Sequence, residues 1–239
     1  LTLAVAKRIS ATDVPIGVLL SGGLDSSLIV ALLNEAGHKN IRTFSIGFED
    51  IEDEAGSEFE YSDQVVEKFN TNHNKYITKN EEVLPRLIEA VSNMAEPMVG
   101  QDAVAFYLLS EKVSRHVKVV LSGQGADEVF AGYFWYPRMA QEQGNEVDRF
   151  AKHYVDRPHE EFLQTVMPTY HGPNYTNKWL TKEFNKSGAD TFMDKVLRTD
   201  ITRLIVDDPV KRVDNMTMAW GLEARVPFMD TDLVEWALK

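Results

Sequence analysis

Short apolar runs alternate with longer stretches of helical periodicity over the first half of the chain. Residues 16–20 form a continuous apolar run, which is typical of a central parallel strand. Residues 26–36 then carry leucine and isoleucine at helical spacing, and Gly37 follows them as a helix C-cap. The same patterns predict further strands at 41–48, 75–78 and 117–121, and helices at 2–12, 61–69, 81–94 and 103–114. The sequence therefore predicts an α/β fold, with a mostly parallel sheet and helices on both faces.

The second half of the chain differs in pattern. Beyond Tyr136 the strand signal fades, and residues 138–239 read as helical and irregular, with an aromatic-rich loop at 168–175. We therefore expect an α/β core over 1–136, followed by a mainly helical C-terminal part over 137–239. The densely acidic segment 49–60 is predicted to be a mobile loop. Because the chain starts at Leu1 and stops within a helical pattern, we expect it to be a piece of a longer protein.

The composition of the chain argues against several classes of function. The 239 residues carry a net charge of −12, which argues against a general nucleic-acid-binding surface. No apolar run approaches the roughly 20 residues that span a bilayer. The absence of cysteine excludes disulfides, thiolate metal sites and a cysteine nucleophile in this chain. The six histidines show no ligand spacing, so we predict no zinc site.

The first candidate for chemistry is the loop at 21–27, Ser-Gly-Gly-Leu-Asp-Ser-Ser. A buried strand precedes it and a helix follows, so its glycines let the backbone approach an anion that the free N–H groups at the helix start would bind. Asp25 would repel a polyphosphate unless a cation lay between them, so we assign it to magnesium. The loop lacks the Gly-Lys-Ser/Thr ending of a Walker A motif. The alternative is a plain glycine-rich turn with Asp25 as helix N-cap.

A second loop at 122–128, Ser-Gly-Gln-Gly-Ala-Asp-Glu, also follows an apolar strand and precedes a helix. In open α/β sheets, ligands bind beyond the carboxyl ends of the strands. The two loops would then face each other across one crevice, and Asp127 could share magnesium with Asp25. Alternatively, Asp127 and Glu128 merely occupy the first turn of a helix, where carboxylates are favoured.

These motifs resemble those of a known protein superfamily. The first loop resembles the Ser-Gly-Gly-x-Asp-Ser-Ser hallmark of the N-type ATP pyrophosphatases, a superfamily that includes asparagine, GMP, NAD and argininosuccinate synthetases. The second loop, residues 43–48, the helix around Asp63 and residues 221–230 (Gly-Leu-Glu-Ala-Arg-Val-Pro-Phe-Met-Asp) are similar to the synthetase domain of glutamine-hydrolysing asparagine synthetases. The resemblance extends from about residue 12 to the end of the chain.

The resemblance implies an adenine-nucleotide α-hydrolase-like fold and an ATP-dependent ligase that forms a carbon–nitrogen bond. A carboxylate, most simply aspartate, would be adenylated with release of pyrophosphate, and ammonia would then give asparagine and AMP. The implied cofactors are ATP and Mg²⁺, with Asp25 and Asp127 as metal ligands. The residues implied to line the AMP site are Leu19, Ser21, Ile46, Ser122 and Gly123. Those implied to hold pyrophosphate are Gly22, Gly23, Asp25, Ser26 and Ser27. The catalytic candidates are Gln124, Asp127 and Asp25.

Two positions depart from the family pattern. Gln124 stands where typical members have a glutamate, a candidate base for the attacking ammonia. Glutamine cannot accept a proton at neutral pH, although it can orient a nucleophile. Ala131 replaces a usual glycine. The acceptor is therefore left open between aspartate and another carboxylate, such as N-acetylglutaminylglutamine or a β-lactam precursor.

By the same resemblance, ammonia would come from an N-terminal glutaminase domain absent from this chain, and the protein would be cytoplasmic. We expect a small-molecule carboxylate substrate and neither nucleic-acid nor membrane partners, and we leave a homodimer open. A non-catalytic ATP-binding sensor is a rival, supported by Gln124 and opposed by Asp25 and Asp127. NAD or GMP synthesis is disfavoured by the 221–230 stretch.

Overall fold

In the computed structural model, which describes residues 1–50, 55–96, 98 and 102–239, the chain forms one five-stranded sheet with helices around it. The strands are β1 Ile16–Leu19, β2 Arg42–Phe48, β3 Asn72–Thr78, β4 Val119–Leu121 and β5 Glu223–Arg225. Their order in the sheet is β3-β2-β1-β4-β5, and all four neighbouring pairs are parallel. The predicted α/β fold with a parallel sheet is confirmed.

The helices of the first half follow the predicted alternation with strands. They are α1 Thr2–Ser10, α2 Leu24–Glu35, α3 Phe59–Phe69, α4 Asn80–Ser92 and α5 Asp102–Val113. Two apolar cores lie against the sheet. One packs residues of β1 and β4 against α2, and the other packs β2 and β4 against α5. Burial on both sides explains why these strands read as continuous apolar runs.

The second half is mainly helical, as expected. Its helices are α6 Ala126–Phe130, α7 Trp135–Gln141, α8 Glu146–Tyr154, α9 His159–Thr165, α10 Tyr175–Phe184, α11 Phe192–Thr199, α12 Ile205–Asp207, α13 Pro209–Met218 and α14 Thr231–Ala237. A π-helical turn, Asp200–Leu204, joins α11 to α12. A separate aromatic-rich core holds α7, α8, α10 and α11 together.

One strand was not predicted. β5 pairs with β4, and the backbone N–H of Ser122 donates to the carbonyl of Arg225 at 2.9 Å. The C-terminal part is mainly helical as expected, and the three residues of β5 are the exception to the helical and irregular pattern predicted for 138–239. The Glu-Ala-Arg sequence of β5 lacks an apolar run because the strand is short and lies at the sheet edge, where burial does not select one. β5 and the packing of α13 on α5 bring the end of the chain back to the sheet.

The acidic segment lies partly outside the described residues, since 51–54 are among those not described, so its predicted mobility is untested there. The described remainder is held in place. Gly56 donates its N–H to the Asp50 carboxylate at 2.7 Å, and its carbonyl accepts from the N–H of Phe48 at 2.7 Å. No helix in the described part of the chain is long and apolar enough to cross a membrane.

Candidate active site

The two predicted loops meet at one edge of the sheet. β1 and β4 are adjacent and parallel, so their carboxyl ends, and the loops that follow them, lie side by side. A Cβ placed on Gly123 would lie 3.0 Å from the Cβ of Asp25 and 3.1 Å from the backbone nitrogen of Ser26. The loops therefore touch, and the glycine makes this close approach possible.

The first loop is shaped around free backbone donors. Gly22 has a φ of +90°, and a Cβ there would collide with the backbone of Ser62 at the start of α3. Gly23 is the N-cap of α2, and no side chain caps this helix end. Asp25 lies in the first turn and is not the N-cap, so the alternative of a capping turn does not describe it. The first N–H groups of α2 are left for a ligand.

The serines of this loop are tied to one another. Ser21 Oγ and Ser26 Oγ are 3.1 Å apart, and Ser26 donates to the carbonyl of Gly23 at 3.2 Å. Ser27 donates to the same carbonyl at 2.7 Å. These bonds fix the hydroxyl of Ser21 and hold the turn in the shape that leads into α2.

The second loop has similar constraints. Gly125 is the N-cap of α6 with a φ of +93°, and a Cβ there would lie 2.7 Å from the Met229 sulfur. α6 is short, and its C-cap, Ala131, has φ 55° and ψ 45°. This left-handed conformation is strained for alanine and favours the glycine that the family pattern has there. A Cβ on Gly132 would collide with the Asp127 carboxylate, so the chain turns tightly around that group.

A cavity of about 510 Å³ opens between the loops. Its volume is in the range of small-molecule sites. The predicted site residues that line it are Leu19, Ser21, Gly23, Asp25, Ser26, Ile46, Ser122, Gly123, Gln124 and Asp127. Gly22 and Ser27 do not line it, since Gly22 packs on α3 and the Ser27 hydroxyl bonds within the turn. The structure thus gathers nearly all the predicted residues in one place, while their roles stay predictions.

Sequence reasoning missed the apolar side of this cavity. Phe44, Phe48, Phe59, Phe106 and Leu109 line it on the side of Ile46. Phe106 and Leu109 come from α5, far along the chain from β2, where the sequence predicted only a helix over 103–114. An apolar, largely aromatic wall beside the loops suits the surface of a nucleotide base.

The cavity is acidic. Asp25, Asp127, Glu128 and Glu58 line it, and its described lining contains no Lys, Arg or His. Burial raises the pKa of Asp25, and the neighbouring charge of Asp127 raises it further. Burial likewise raises the pKa of Asp127. These carboxylates would repel a polyphosphate, so an anionic ligand requires an accompanying cation.

Magnesium fits this donor set. It prefers oxygen ligands and is usually held by one or two carboxylates together with substrate phosphates and water. Asp25 and Asp127 supply two carboxylates across the contact between the loops. The described residues contain no group of three or more His, Cys, Asp or Glu able to enclose a metal. Asp25 and Asp127 therefore suit an ion that arrives with a phosphate ligand better than a permanently enclosed one.

Glu128 and Tyr133, which are not among the site residues named above, also line the cavity. Glu128 is 3% exposed, and the Tyr133 hydroxyl donates to its Oε1 at 2.8 Å. Arg225, by contrast, lies outside the cavity. Its Nε donates to Glu223 at 2.8 Å, and its Nη1 bonds to the carbonyl of Arg8, so it joins β5 to α1.

The chain matches the asparagine synthase family model over residues 1–239. Asparagine synthetase [glutamine-hydrolyzing] 1 of Bacillus subtilis is 28% identical to it over 261 residues, covering 95% of this chain and 41% of that protein. A putative asparagine synthetase [glutamine-hydrolyzing] of Mycobacterium tuberculosis is 28% identical over 264 residues, covering 96% and 40%. A putative asparagine synthetase [glutamine-hydrolyzing] 2 of Methanocaldococcus jannaschii is 42% identical over 124 residues, covering 51% and 23%. The first two matches span about two fifths of each relative.

Proposed function

Because the chain belongs to the asparagine synthase family, we propose that it catalyses ATP-dependent amide formation on a carboxylate acceptor, with aspartate as that acceptor. The products would be asparagine, AMP and pyrophosphate. One observation carries the proposal: loops from two adjacent parallel strands meet at a single cavity, with Asp25 on one loop and Asp127 on the other. Family membership supports ATP use, and the aspartate specificity is our inference from the relatives' names.

In the first step, the acceptor carboxylate attacks the α-phosphorus of ATP. The P–O bond to the β-phosphate breaks, and pyrophosphate leaves. Free N–H groups at the start of α2 would bind the departing phosphates, Ser21 would line the AMP site, and the apolar wall by Ile46 would hold the base. Magnesium, bound by Asp25 and Asp127, would offset the charge that builds on the leaving group.

In the second step, ammonia attacks the acyl carbon, AMP leaves with the bonding electron pair, and the nitrogen loses a proton. Gln124 lines the cavity and cannot take that proton at neutral pH, so we assign it to orienting the nucleophile by hydrogen bonds. The relatives are named as glutamine-hydrolysing, and we propose that a glutaminase part outside this chain supplies the ammonia. A cytoplasmic location and a homodimer stay expectations.

The second candidate is a related ligase with a different acceptor. The observation that favours it is Gln124 itself, which lies in the cavity beside Asp127 where typical family members have a glutamate. A different side chain at the position that would contact the nucleophile is compatible with a different acceptor carboxylate, such as that of a glutaminyl dipeptide.

The test is pyrophosphate release by the full-length protein with ATP, Mg²⁺, ammonium and a panel of carboxylates. We expect release with aspartate and formation of asparagine in equal amount. Release only with another acid would mean that this acid, and not aspartate, is the acceptor. Binding of ATP without release on any acid would support a nucleotide sensor instead.

Matched variants make this test specific. Asp25→Asn and Asp127→Asn remove one charge each with little change in shape, and each should lower pyrophosphate release at least a hundredfold. Asp156→Asn, an exposed substitution on the helical part, should leave release unchanged. Unfolding curves of all three variants would show whether a loss of activity comes from a loss of fold.

A further inference from the structure

One stretch of the helical part carries no buried side chain. It comprises residues 155–178, all of which the structure describes, and each of them is half-buried or exposed. Neither α9, which lies within it, nor the 3₁₀ turn Pro168–Tyr170 buries a residue. The flanking helices α8 and α10 do bury side chains, Phe150 and Leu180 among them. The stretch therefore has a defined conformation without a core of its own.

Local hydrogen bonds fix the path of this stretch. The ring Nε2 of His171 donates to the carbonyl of Val166 at 2.8 Å. The side chain of Asn174 caps α10 by accepting from the N–H of Asn177 at 2.8 Å. Such bonds cover no apolar surface, whereas ordering a chain costs conformational entropy that apolar burial normally offsets. The stretch thus lacks the contribution that usually stabilises an ordered segment.

The larger apolar side chains of the stretch are largely uncovered. Met167 and Tyr170 are 68% and 69% exposed, and Phe162 is 36% exposed. Contiguous apolar groups left in solvent mark interaction surfaces. Aromatic residues, methionine and arginine are also the residue types enriched where proteins meet, and Arg157 lies in the same stretch. The composition of this surface is therefore that of an interface.

A cavity of about 540 Å³ opens between this stretch and the helices α8 and α10. Its apolar lining includes Val147, Ala151, Val155, Phe162, Tyr170 and Leu180. Its lysine and arginine, Lys152 and Arg157, are balanced by the carboxylates of Asp148 and Glu160. No residue of its described lining also lines the candidate active site. The cavity is therefore a separate feature, and a mainly apolar lining with balanced charge suits inserted apolar side chains better than a charged small molecule.

The length of the relatives points to the occupant. The matches cover 41% and 40% of two relatives, so about three fifths of each relative lies outside the matched part. A remainder joined covalently to this chain is present at high effective concentration, which favours it over a separate partner. A second copy would have to overcome the repulsion between two such parts, each with a net charge of −12.

We propose that this cavity and the apolar side chains around it form an internal docking surface, which the remainder of the same polypeptide, outside residues 1–239, covers with apolar side chains. Phe162 and Tyr170 would be its central contacts. Arg157 and Glu161, which pair at 3.3 Å and are both exposed, would lie at its rim. Aromatic anchors within a polar rim are the usual anatomy of a protein interface. The docking surface is independent of the proposed reaction.

The test is site-specific photocrosslinking in the full-length protein. Tyr170 is replaced by p-benzoylphenylalanine, the protein is irradiated, and the linked peptides are identified by mass spectrometry. We expect a link to a peptide outside residues 1–239 of the same molecule, so that the product keeps the size of a single chain on a denaturing gel. A link that joins two molecules, a link only to peptides within 1–239, or no link overturns the proposal. The same replacement at Glu67, an exposed residue on α3, should give no link, and equal yields at the two positions would also overturn the proposal.

A charge placed in the surface ties the link to this cavity. In the protein with the crosslinker in place of Tyr170, Phe162→Asp puts a carboxylate into the cavity lining and should lower the yield of the link at least fivefold. Gln164→Asp adds the same charge to the same helix, at an exposed position that does not line the cavity, and should leave the yield unchanged. An unchanged yield in a folded Phe162→Asp protein would overturn the proposal. If Phe162→Asp failed to fold, the identity of the peptide linked from Tyr170 would still decide.

Discussion

Gly123 packs directly on Asp25, and this contact sets the distance between the two loops of the candidate site. A Cβ on Gly123 would lie 3.0 Å from the Asp25 Cβ and 3.1 Å from a backbone nitrogen. That separation is tighter than ordinary van der Waals contact, and a backbone atom cannot swing aside as a flexible side chain can. The relative position of Asp25 and Asp127 thus depends on one missing methyl group.

We therefore predict that Gly123→Ala separates the loops by a few tenths of an ångström and weakens ATP binding about tenfold or more. The substitution should also lower the free energy of unfolding by about 1–3 kcal/mol, as overpacking does. The measurement is ATP binding with Mg²⁺, beside a urea unfolding curve. Gly172→Ala is the matched control, because its nearest neighbour is the ring of Tyr175, which is 70% exposed and free to move. Normal ATP affinity in Gly123→Ala would contradict this account.

Ala131 carries strain that glycine would relieve. Its φ of 55° at the end of α6 is a left-handed conformation, which costs a residue with a Cβ about 1–2 kcal/mol. Glycine recovers this strain but loses more backbone entropy on folding, so Ala131→Gly should stabilise the protein by about 0.5–1 kcal/mol. Thermal unfolding would show the gain as an increase in Tm of about 1–4 °C. The same exchange within α8, Ala151→Gly, should have the opposite sign.

The sequence predicted the parts of the fold that are determined locally. The apolar runs of β1, β2 and β4 and the two glycine loops are continuous in sequence, and β1 and β4 are neighbours as the shared crevice requires. β5 was missed because three residues, two of them charged, bear no strand signature. Its place beside β4 depends on a tertiary contact made from the far end of the chain.

In the candidate site, too, the sequence predicted only the residues that lie within local motifs. The phosphate-side residues could be named because they lie within two short motifs. The apolar wall could not, because Phe106 and Leu109 have the ordinary spacing of a core helix, and only the packing of α5 beside β2 brings them to the cavity. Asp200, which lies outside the cavity, gave no signal either, since a single aspartate in a helical stretch is usually exposed, whereas here it is fully buried and accepts a hydrogen bond from Tyr136.

Gln124 should act by orientation and not by proton transfer. Gln124→Leu keeps the size of the side chain and removes its hydrogen bonds, so we predict at least a tenfold lower kcat for amide formation and an unchanged Kd for ATP. Pyrophosphate release and amide yield should be measured together, because loss of the second step alone uncouples them. Gln164→Leu, at an exposed position on α9, is the control. A parallel loss of ATP binding in Gln124→Leu would assign the residue to the nucleotide instead.

Asp200 should make the stability of the protein depend on pH. Burial, together with the like charge of Glu128, raises the pKa of its carboxyl from 3.8 to about 6, although the Tyr136 and Tyr154 hydroxyls oppose this increase. Between pH 4 and pH 6 the folded state therefore binds more protons at this group than the unfolded state, and stability falls as the pH increases. The cost is absent below the unfolded pKa and is fully present above the folded one. An increase of about two in the pKa corresponds to about 3 kcal/mol of unfolding free energy.

Asp200→Asn cannot ionise, so its stability relative to the parent protein should increase from pH 4 to pH 7 by up to about 3 kcal/mol. The measurement is urea unfolding of both proteins at several values of pH, and the quantity to compare is the difference between them, since other groups titrate equally in each. Asp156→Asn, an exposed aspartate on the helical part, should show no such trend. A difference between parent and Asp200→Asn that stays constant across this pH range would mean that the Asp200 carboxylate is already compensated in the folded protein.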